Sequence, residues 1–367
     1  CYIPYMRYKI CGLETHSKGG TNTSAVDWWR VVNPLSHLNP EKFDVTIKKK
    51  IIDEKDIIGS WRKLGKNFDL LFSSYIDTPK PYAYLRAVME KSGLKHIMDL
   101  DDNLYNIDEF NPVQMYYQTK QGMKEIQQVI INDCEVLTTT TKYLRNVVAD
   151  YGRTGPTYVL PNYIDLDVYK FDFTKRKKPD KKINIVYFGS STHYTDIEQS
   201  GIVEASKMIN EKYGKRVKFV FFGMIPDSIK KVLPNGRCDY YDGKSDFYEW
   251  VDLWKEKMGN MDIGIAPLHH SDFNYGKSEI KFYETSACKV PFIGSNTPNY
   301  QRVVRNGING FVVRNEPVEW FNHLSALIDN PDLRIKLAEQ AYKDTQANTI
   351  QKHIKEYEKV IEGVLNG

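Results

Sequence analysis

Short apolar runs alternate with helix-forming stretches along almost the whole chain of 367 residues. Each run is bounded by turn residues and has the length of a strand that is buried in a parallel sheet. Alternating strands and helices build parallel sheets that are covered on both faces, so the sequence predicts an α/β fold. The predicted strands span residues 8–12, 43–47, 68–73, 96–100, 136–140 and 158–160, then 183–188, 217–222, 263–267, 291–294 and 311–313.

The alternation occurs in two halves of the chain, which predicts two doubly wound domains. The length suits two domains of roughly 100–200 residues each. We expect an N-terminal domain over residues 1–170, a solvated basic linker over 171–182 and a C-terminal domain over 183–345, with a helix at 346–367 that packs back toward the first domain. The predicted helices span residues 24–38, 81–92, 120–132 and 142–151, then 196–213, 246–257, 279–288, 318–328 and 333–364.

Composition argues against several classes of protein. The formal net charge of +4, from 51 Lys and Arg against 47 Asp and Glu, does not suggest a dedicated nucleic-acid binder. The five cysteines form no C-x-x-C pair, so we expect no disulfide framework, no metal site and a reducing cytoplasm. No apolar run approaches the roughly 18 residues that cross a bilayer, and no signal peptide is visible.

Doubly wound sheets bind ligands beyond the carboxyl ends of their strands, so two such sheets that face each other predict one cleft.

Gly19 and Gly20 follow the first strand, where glycines let the backbone approach a ligand and the next helix offers free N–H groups. Asp101 and Asp102 follow the fourth strand, and carboxylates there are costly unless they are solvated, paired or bound. The structural alternatives are a plain turn and a helix cap.

The loop after the first strand of the second half combines small residues with hydroxyls and one histidine. Gly189 and Ser190 can wrap a phosphate or approach a sugar, and His193 follows them. A lone histidine is more often structural than functional, so both interpretations of His193 stay open.

The segment from Lys277 to Glu284 is the most informative one. Ser278 is a good N-cap for a helix whose N–H groups and positive dipole end would face an anion. Lys281 lies in the first turn, where a cation is unfavourable unless an anion compensates it. A diphosphate at the helix start, with Glu284 accepting ribose hydroxyls, would satisfy this pattern. The alternative is a surface helix with a Lys281–Glu284 pair.

Taken together, these segments resemble the GT-B glycosyltransferases, and glycosyltransferase family 4 in particular. Residues 160–165, LPNYID, are similar to the family's P-N-G-V-D junction, with Tyr163 in place of glycine. Residues 284–293, ETSACKVPFI, resemble E-A-M-A-x-G-x-P-V-I, and residues 306–313, NGINGFVV, resemble N-G-x-x-G-x-L-V. The last two motifs, at the right separation, are a specific signal.

The resemblance implies two Rossmann-like domains facing across a cleft, with a UDP-, GDP- or ADP-sugar in the second and a glycan or other hydroxyl acceptor in the first. It also implies retention at the anomeric carbon without a metal or other cofactor. Glu284 matches the ribose-binding glutamate, and Glu279 and Ile280 would act through backbone N–H groups. The candidate catalytic residues are Asp101, Asp102, His193 and Lys281; the candidate donor-binding residues are Gly19, Gly20, Gly189, Ser190, Lys277, Ser278, Glu279, Ile280, Lys281 and Glu284.

The chain departs from the family pattern at two places. Gly276 stands where the first glutamate of the family's E-x7-E motif is expected, so no glutamate contacts the donor sugar from there. The family's Arg and Lys phosphate clamp is not evident either, and Lys277 and Lys281 are expected to supply that charge.

Three other functions stay open. A DNA glycosyltransferase would act on a hydroxymethylated base, with Trp28, Trp29, Arg30, Arg62 and Lys63 binding the duplex. A non-catalytic nucleotide-sugar-binding protein would account for Gly276. A nucleotide-sugar epimerase would also have two Rossmann halves.

Overall fold

The computed structural model describes residues 7–16, 21–49, 55–76, 79–107, 123–176 and 182–367. The first six strands form one parallel sheet in the order β2-β1-β3-β4-β5-β6. They are β1 (Tyr8–Leu13), β2 (Phe43–Lys48), β3 (Leu70–Ser74), β4 (Lys95–Leu100), β5 (Val136–Thr139) and β6 (Thr157–Val159). The helices of this half are α1 (Ala25–Asp27), which continues through a π-helical turn (Trp28–Val32) into α2 (Asn33–Ser36), then α3 (Ile57–Asn67), α4 (Pro79–Ser92), α5 (Met123–Asp133) and α6 (Lys142–Asp150).

The next six strands form a second parallel sheet in the order β12-β11-β10-β7-β8-β9. Its order reverses between β7 and β10, as in a Rossmann sheet. The strands are β7 (Ile183–Phe188), β8 (Val217–Phe222), β9 (Cys238–Tyr241), β10 (Ile263–Ala266), β11 (Phe292–Ser295) and β12 (Phe311–Val313). The helices are α7 (Tyr194–Gln199), α8 (Ile202–Tyr213), α9 (Asp227–Val232), α10 (Phe247–Lys257), α11 (Asp272–Gly276), α12 (Ile280–Ala287), α13 (Pro298–Gln301), α14 (Pro317–Asp329), α15 (Pro331–Ala347) and α16 (Ile350–Leu365).

Both sheets are covered on both faces. Successive side chains of a strand point to opposite faces, so one strand contributes to an apolar cluster on each side of its sheet. In β1, Ile10 packs into one apolar cluster and Cys11 into the cluster on the other face. In β7, Ile185 and Val186 divide between two clusters in the same way. The predicted doubly wound α/β fold is therefore confirmed.

Two predicted helices are each broken into two. The helix predicted over 196–213 stops before Gly201, whose φ of 81° lies in the left-handed region that favours glycine. The helix predicted over 333–364 is interrupted after Ala347, where Asn348 is the C-cap and Thr349 has extended backbone before α16 begins. Helix α3 and strand β9 were not predicted, because α3 contains two glycines and lysines and β9 is half-exposed with a polar start.

The chain passes from the first half to the second near Ile164 and returns near Asn348, and these two passages lie side by side. The N–H of Ile164 donates to the carbonyl of Asn348 (3.3 Å), and the N–H of Ile350 donates to the carbonyl of Ile164 (3.0 Å). Beyond this point α16 lies against the first sheet, where Ile350 and Tyr357 share an apolar cluster with Ile10. The expected linker is described as far as Arg176 and again from Lys182.

The described start of that linker is buried at its first residue only, and residues 172–175 are exposed as expected. Phe171 is buried, and its ring centroid lies 6.1 Å from that of Trp254. The expectation of a solvated segment is therefore wrong at Phe171. The exact domain boundaries stay predictions.

Candidate active site

A cavity of about 540 Å³ lies where the carboxyl ends of the two sheets face each other. From the first half it is lined by Trp29 and by Asp101 beyond β4; from the second half by Gly189 beyond β7 and Leu268 beyond β10. The sheet order reverses between β7 and β10, which is where such sheets bind ligands. The predicted site residues on the cavity wall are Asp101, Asp102, Gly189, Ser190, His193, Lys277, Ser278, Ile280, Lys281 and Glu284.

Contacts between the two halves lie on either side of this cavity. On one side the ring of Trp28 stacks on that of Phe247 with centroids 3.9 Å apart, and the N–H of Phe247 donates to the carbonyl of Thr23 (2.8 Å). On the other side Nδ2 of Asn103 donates to the carbonyl of Asp272 (3.0 Å). These contacts hold the halves together across the cavity.

Gly276 lies in close contact with the opposite half. A Cβ atom on Gly276 would lie 3.2 Å from the Cβ of Asn103 in the opposite half. The hydroxyl of Thr141 also donates to the carbonyl of Gly276 (3.2 Å). A side chain at position 276 would require Asn103 to shift by a few tenths of an ångström, so the contact between the halves leaves little room there for a glutamate.

The entrance of α12 lies on the cavity wall, where Ser278, Ile280 and Lys281 are lining residues. The helix begins at Ile280, and Glu279 occupies the cap position without a side-chain hydrogen bond. The prediction of Ser278 as the N-cap is therefore wrong: its hydroxyl is held by Nδ2 of Asn162 at 2.9 Å. Free N–H groups and the helix dipole make such an entrance attractive to an anion.

Lys281 and His193 form one hydrogen-bonded unit with Asp196. Nζ of Lys281 lies 3.2 Å from Nε2 of His193, and Nδ1 of His193 lies 2.6 Å from Oδ2 of Asp196. Burial, and then the charge of Lys281, lower the pKa of His193 to about 4. The imidazole is thus neutral at pH 7, with its proton on Nδ1 and Nε2 accepting from the ammonium group.

Lys281 is itself a perturbed cation. Burial lowers its pKa to about 8, the charge of Asp196 opposes the shift, and the charge of Lys277 adds to it. Against its burial, the hydrogen bonds from His193 and His269 hold the pKa of Asp196 well below its usual range. A lysine with a lowered pKa at a helix entrance favours a ligand with negative charge.

Glu284 lies one turn deeper in α12 and is only 5% exposed. Its Oε1 accepts hydrogen bonds from the Tyr169 hydroxyl (2.6 Å) and from Nε1 of Trp250 (3.3 Å). Burial raises the pKa of Glu284 to about 7, although both hydrogen bonds favour the charged form. The alternative of a surface helix with a Lys281–Glu284 pair is therefore wrong.

Asp101 and Asp102 form the opposite wall of the cavity. Nζ of Lys277 lies 3.2 Å from Oδ1 of Asp102, which links the two halves by an ion pair. Burial and the charge of Asp102 raise the pKa of Asp101 to about 7. The cavity therefore has a cationic wall on α12 and an acidic wall beyond β4.

Other predicted site residues lie elsewhere. Glu279 does not line the cavity, and its carboxylate pairs with Arg302 at 2.8 Å. Gly19 and Gly20 lie outside the described residues.

The surface proposed for binding a DNA duplex is largely absent. Trp28, Trp29 and Arg30 are 2%, 4% and 0% exposed. Nη2 of Arg30 lies 2.7 Å from Oδ2 of the equally buried Asp99. The interpretation of these three residues as a DNA-binding surface is therefore wrong.

Sequence reasoning missed the residues that orient the site. The sequence pattern marks Asp196 only as the start of a helix. It lies three positions after His193, however, and this spacing places the two side chains together. Asn162 was read only as part of the junction. No local signal marked Tyr169 or Trp250, which meet Glu284 only in the folded chain.

The described residues contain neither a cluster of metal ligands nor a helix that could span a membrane. In the parts of the chain that the structure describes, no three His, Cys, Asp or Glu side chains converge as metal ligands would. None of the described helices combines the length and the apolar character that a bilayer crossing requires.

Residues 182–330 match the family model of glycosyl transferases group 1. No protein of curated function matches the chain in sequence. HepE of Anabaena, solved with UDP-glucose, is similar in structure with a TM-score of 0.68 and 12% identity over 96% of this chain and 100% of that chain. A glycosyltransferase from Rickettsia africae has a TM-score of 0.65 and 14% identity over 98% of this chain and 99% of that chain.

Sucrose-phosphate synthase from Thermosynechococcus elongatus has a TM-score of 0.64 and 11% identity over 97% of this chain and 100% of that chain. These likenesses extend across both sheets and both crossings of the chain, and at this identity they establish the fold. The chain therefore has the GT-B fold of these glycosyltransferases, and its residues 182–330 are similar to the glycosyl transferases of group 1.

Proposed function

We propose that the chain transfers a hexosyl group from a nucleoside-diphosphate sugar, UDP-sugar before GDP-sugar, to a hydroxyl of a glycan or other acceptor. The observation that carries the proposal is the pair Lys277 and Lys281 at the entrance of α12, both facing the cavity. A diphosphate there meets the ammonium group of Lys281, that of Lys277, which also pairs with Asp102, and the free N–H groups at the start of the helix. HepE, which shares the fold, was solved with UDP-glucose.

The proposed chemistry is electrostatic stabilisation of the leaving group. As the bond between the sugar and the diphosphate breaks, negative charge grows on the phosphate oxygen. Preorganised donors placed where charge develops lower the barrier, and they act strongly in a site that excludes water. Lys281 is held at this point by His193, which Asp196 orients in turn.

Glu284 and Asp101 complete the proposed substrate contacts. Glu284 accepts the ribose hydroxyls, with Tyr169 and Trp250 fixing the carboxylate that receives them. The acceptor hydroxyl approaches from the acidic wall at Asp101 and Asp102.

Three finer features belong to the same proposal. Transfer proceeds with retention, as the resemblance to family 4 implies. It requires no metal, because the two lysines supply the positive charge that a cation would otherwise bring to the phosphates. The enzyme works in the reducing cytoplasm, a compartment that suits the free thiols of Cys11, Cys134, Cys238 and Cys288.

Thermal shift over a panel of nucleotides tests the donor. UDP at about a hundred times its Kd should stabilise the protein by about 2.7 kcal/mol and raise the melting temperature by about 5–10 °C. UMP, which lacks the second phosphate, should give a clearly smaller shift. Equal shifts with UMP and UDP, or none with any nucleoside diphosphate, would contradict the proposal.

The reaction is then tested with the UDP-sugar that gives the largest shift. The anomeric proton of the product, followed by NMR, reports retention directly. Turnover that persists in EDTA supports metal independence. A product of inverted configuration would overturn the retaining mechanism and leave the donor site standing.

Donor affinity is expected to fall as the pH rises above about 8. Below its pKa of about 8 Lys281 is charged, and above it the empty protein loses the ammonium group that the diphosphate needs. Affinity for UDP should therefore weaken up to about tenfold per pH unit between pH 8 and 9.5. Asp101 and Glu284, with pKa values of about 7, are already ionised in that range.

Calorimetric titration with UDP across this range is the measurement. Lys281→Arg is the control, because a guanidinium stays charged and should remove the dependence. A wild-type affinity that is constant from pH 8 to 9.5, or an equally steep fall in the arginine variant, would contradict the assignment.

A further inference from the structure

A line of hydrogen bonds runs from the interior of the first half to the cavity. Arg30 donates from Nε to Oδ1 of Asp99 (2.8 Å) and from Nη2 to Oδ2 (2.7 Å). Its remaining nitrogen, Nη1, donates to Oδ1 of Asn162 (2.7 Å). Nδ2 of Asn162 then donates to Oγ of Ser278 (2.9 Å), at the entrance of α12.

The direction of each bond in this line follows from the chemistry of the groups. A guanidinium has five N–H donors and no acceptor. The atom of Asn162 that faces Arg30 must therefore be its carbonyl oxygen, which turns the amide nitrogen toward Ser278. An amide nitrogen can only donate, so the hydroxyl oxygen of Ser278 accepts in this contact.

The hydroxyl hydrogen of Ser278 must then point elsewhere. Ser278 lines the cavity, and within the described part of the chain no group accepts a hydrogen bond from its hydroxyl. Lys281 follows it on the same wall, and Lys277, which is paired with Asp102, precedes it, so an ammonium group lies on either side of Ser278 in the sequence. An acceptor brought by a negatively charged ligand completes the arrangement.

We propose that Asn162 is a positioning residue that turns the hydroxyl hydrogen of Ser278 toward a phosphate oxygen of the donor. The inference rests on the proposed function, because the phosphate is that of the nucleotide sugar. Arg30 and Asp99 fix Asn162, Asn162 fixes Ser278, and Ser278 supplies the hydrogen bond to the ligand. Hydrogen bonds to an ionised acceptor are about twice as strong as neutral ones, so their direction matters.

Asn162→Asp is the discriminating substitution. The carboxylate still accepts from Arg30, but it has no N–H, so it accepts the hydroxyl hydrogen of Ser278 and withdraws it from the phosphate. We expect the Kd for UDP and the KM for the donor to rise at least about tenfold, the equivalent of one charge-assisted hydrogen bond, with a smaller change in kcat.

Asn162→Asp also adds a negative charge. Repeating this substitution in the Ser278→Ala background separates the effect of that charge from the effect of the reversed hydrogen bond. Without the hydroxyl there is nothing to redirect, so Asn162→Asp should then change the Kd by about threefold or less. Ser278→Ala alone should weaken UDP binding by about tenfold, and Ser278→Thr, which restores a hydroxyl, should recover affinity relative to alanine.

Each outcome supports or overturns the inference. An equal loss from Asn162→Asp in both backgrounds means that charge alone weakens binding, and the inference fails. The inference also fails if Ser278→Ala binds UDP as tightly as wild type does. This test remains available even if the Asn162 variant does not fold. Wild-type protein that binds no nucleoside diphosphate overturns the proposed function as well, whereas wild-type binding with an unaffected Asn162→Asp overturns only this inference.

Discussion

Replacing Arg30 with alanine is expected to lower the free energy of unfolding by about 3–5 kcal/mol, because it leaves a buried carboxylate without its counter-charge. Arg30 is 0% and Asp99 1% exposed, and two hydrogen bonds join them. The hydroxyl of Thr138 also donates to Asp99, at 2.5 Å, but it carries no charge. The melting temperature in the absence of nucleotide should fall by about 10 °C.

Two matched variants show whether the unpaired charge is the cause. Arg30→Met combined with Asp99→Asn removes both charges and should be clearly more stable than Arg30→Ala alone. Arg62→Ala, on the exposed face of α3, should change stability by no more than about 0.5 kcal/mol. A double variant that melts no higher than the single one would assign the loss to packing instead.

Replacing Lys281 with alanine is expected to lower kcat/KM for the donor by about 10²–10³, the range found when one preorganised donor is removed from a developing charge. Nζ of Lys281 is 3.2 Å from Nε2 of His193, and it faces the cavity at the entrance of α12. Alanine removes the ammonium group and leaves His193 without the hydrogen bond at Nε2. Hydrolysis or transfer from the preferred UDP-sugar measures the effect.

Lys289 offers a control near the other end of the same helix. It pairs with Glu339 at 2.8 Å, away from the cavity wall. Lys289→Ala should retain wild-type turnover, and Lys281→Arg should lose less activity than Lys281→Ala because it keeps the charge. Equal rates in wild type and Lys281→Ala would remove Lys281 from the mechanism.

The alternation of apolar runs and helices was sufficient to predict both sheets, because a strand buried on both faces needs a continuous apolar segment. β9 (Cys238–Tyr241) lacked that signal, since an edge strand buries less of its surface. Helix breaks were harder to predict. The break at Asn348 depends on the pairing of its carbonyl with Ile164, which is remote in sequence.

The site was predictable where one local segment supplies several of its groups. Lys277, Lys281 and Glu284 come from such a segment, and all three line the cavity. Contacts between remote segments were not predictable: Asn162 meets Ser278 across 116 positions and Tyr169 meets Glu284 across 115. The close approach of Gly276 to Asn103 of the opposite half is likewise a contact between remote segments.

The paired passages at Ile164 and Asn348 have a consequence for how the cleft opens. Two neighbouring backbone segments, joined by hydrogen bonds, resist relative twisting more than one would, so the halves should swing apart about this shared hinge. Such a swing must separate Trp28 from Phe247 and Asn103 from Asp272. Release of a bound nucleotide by such a swing would then require those contacts to break first.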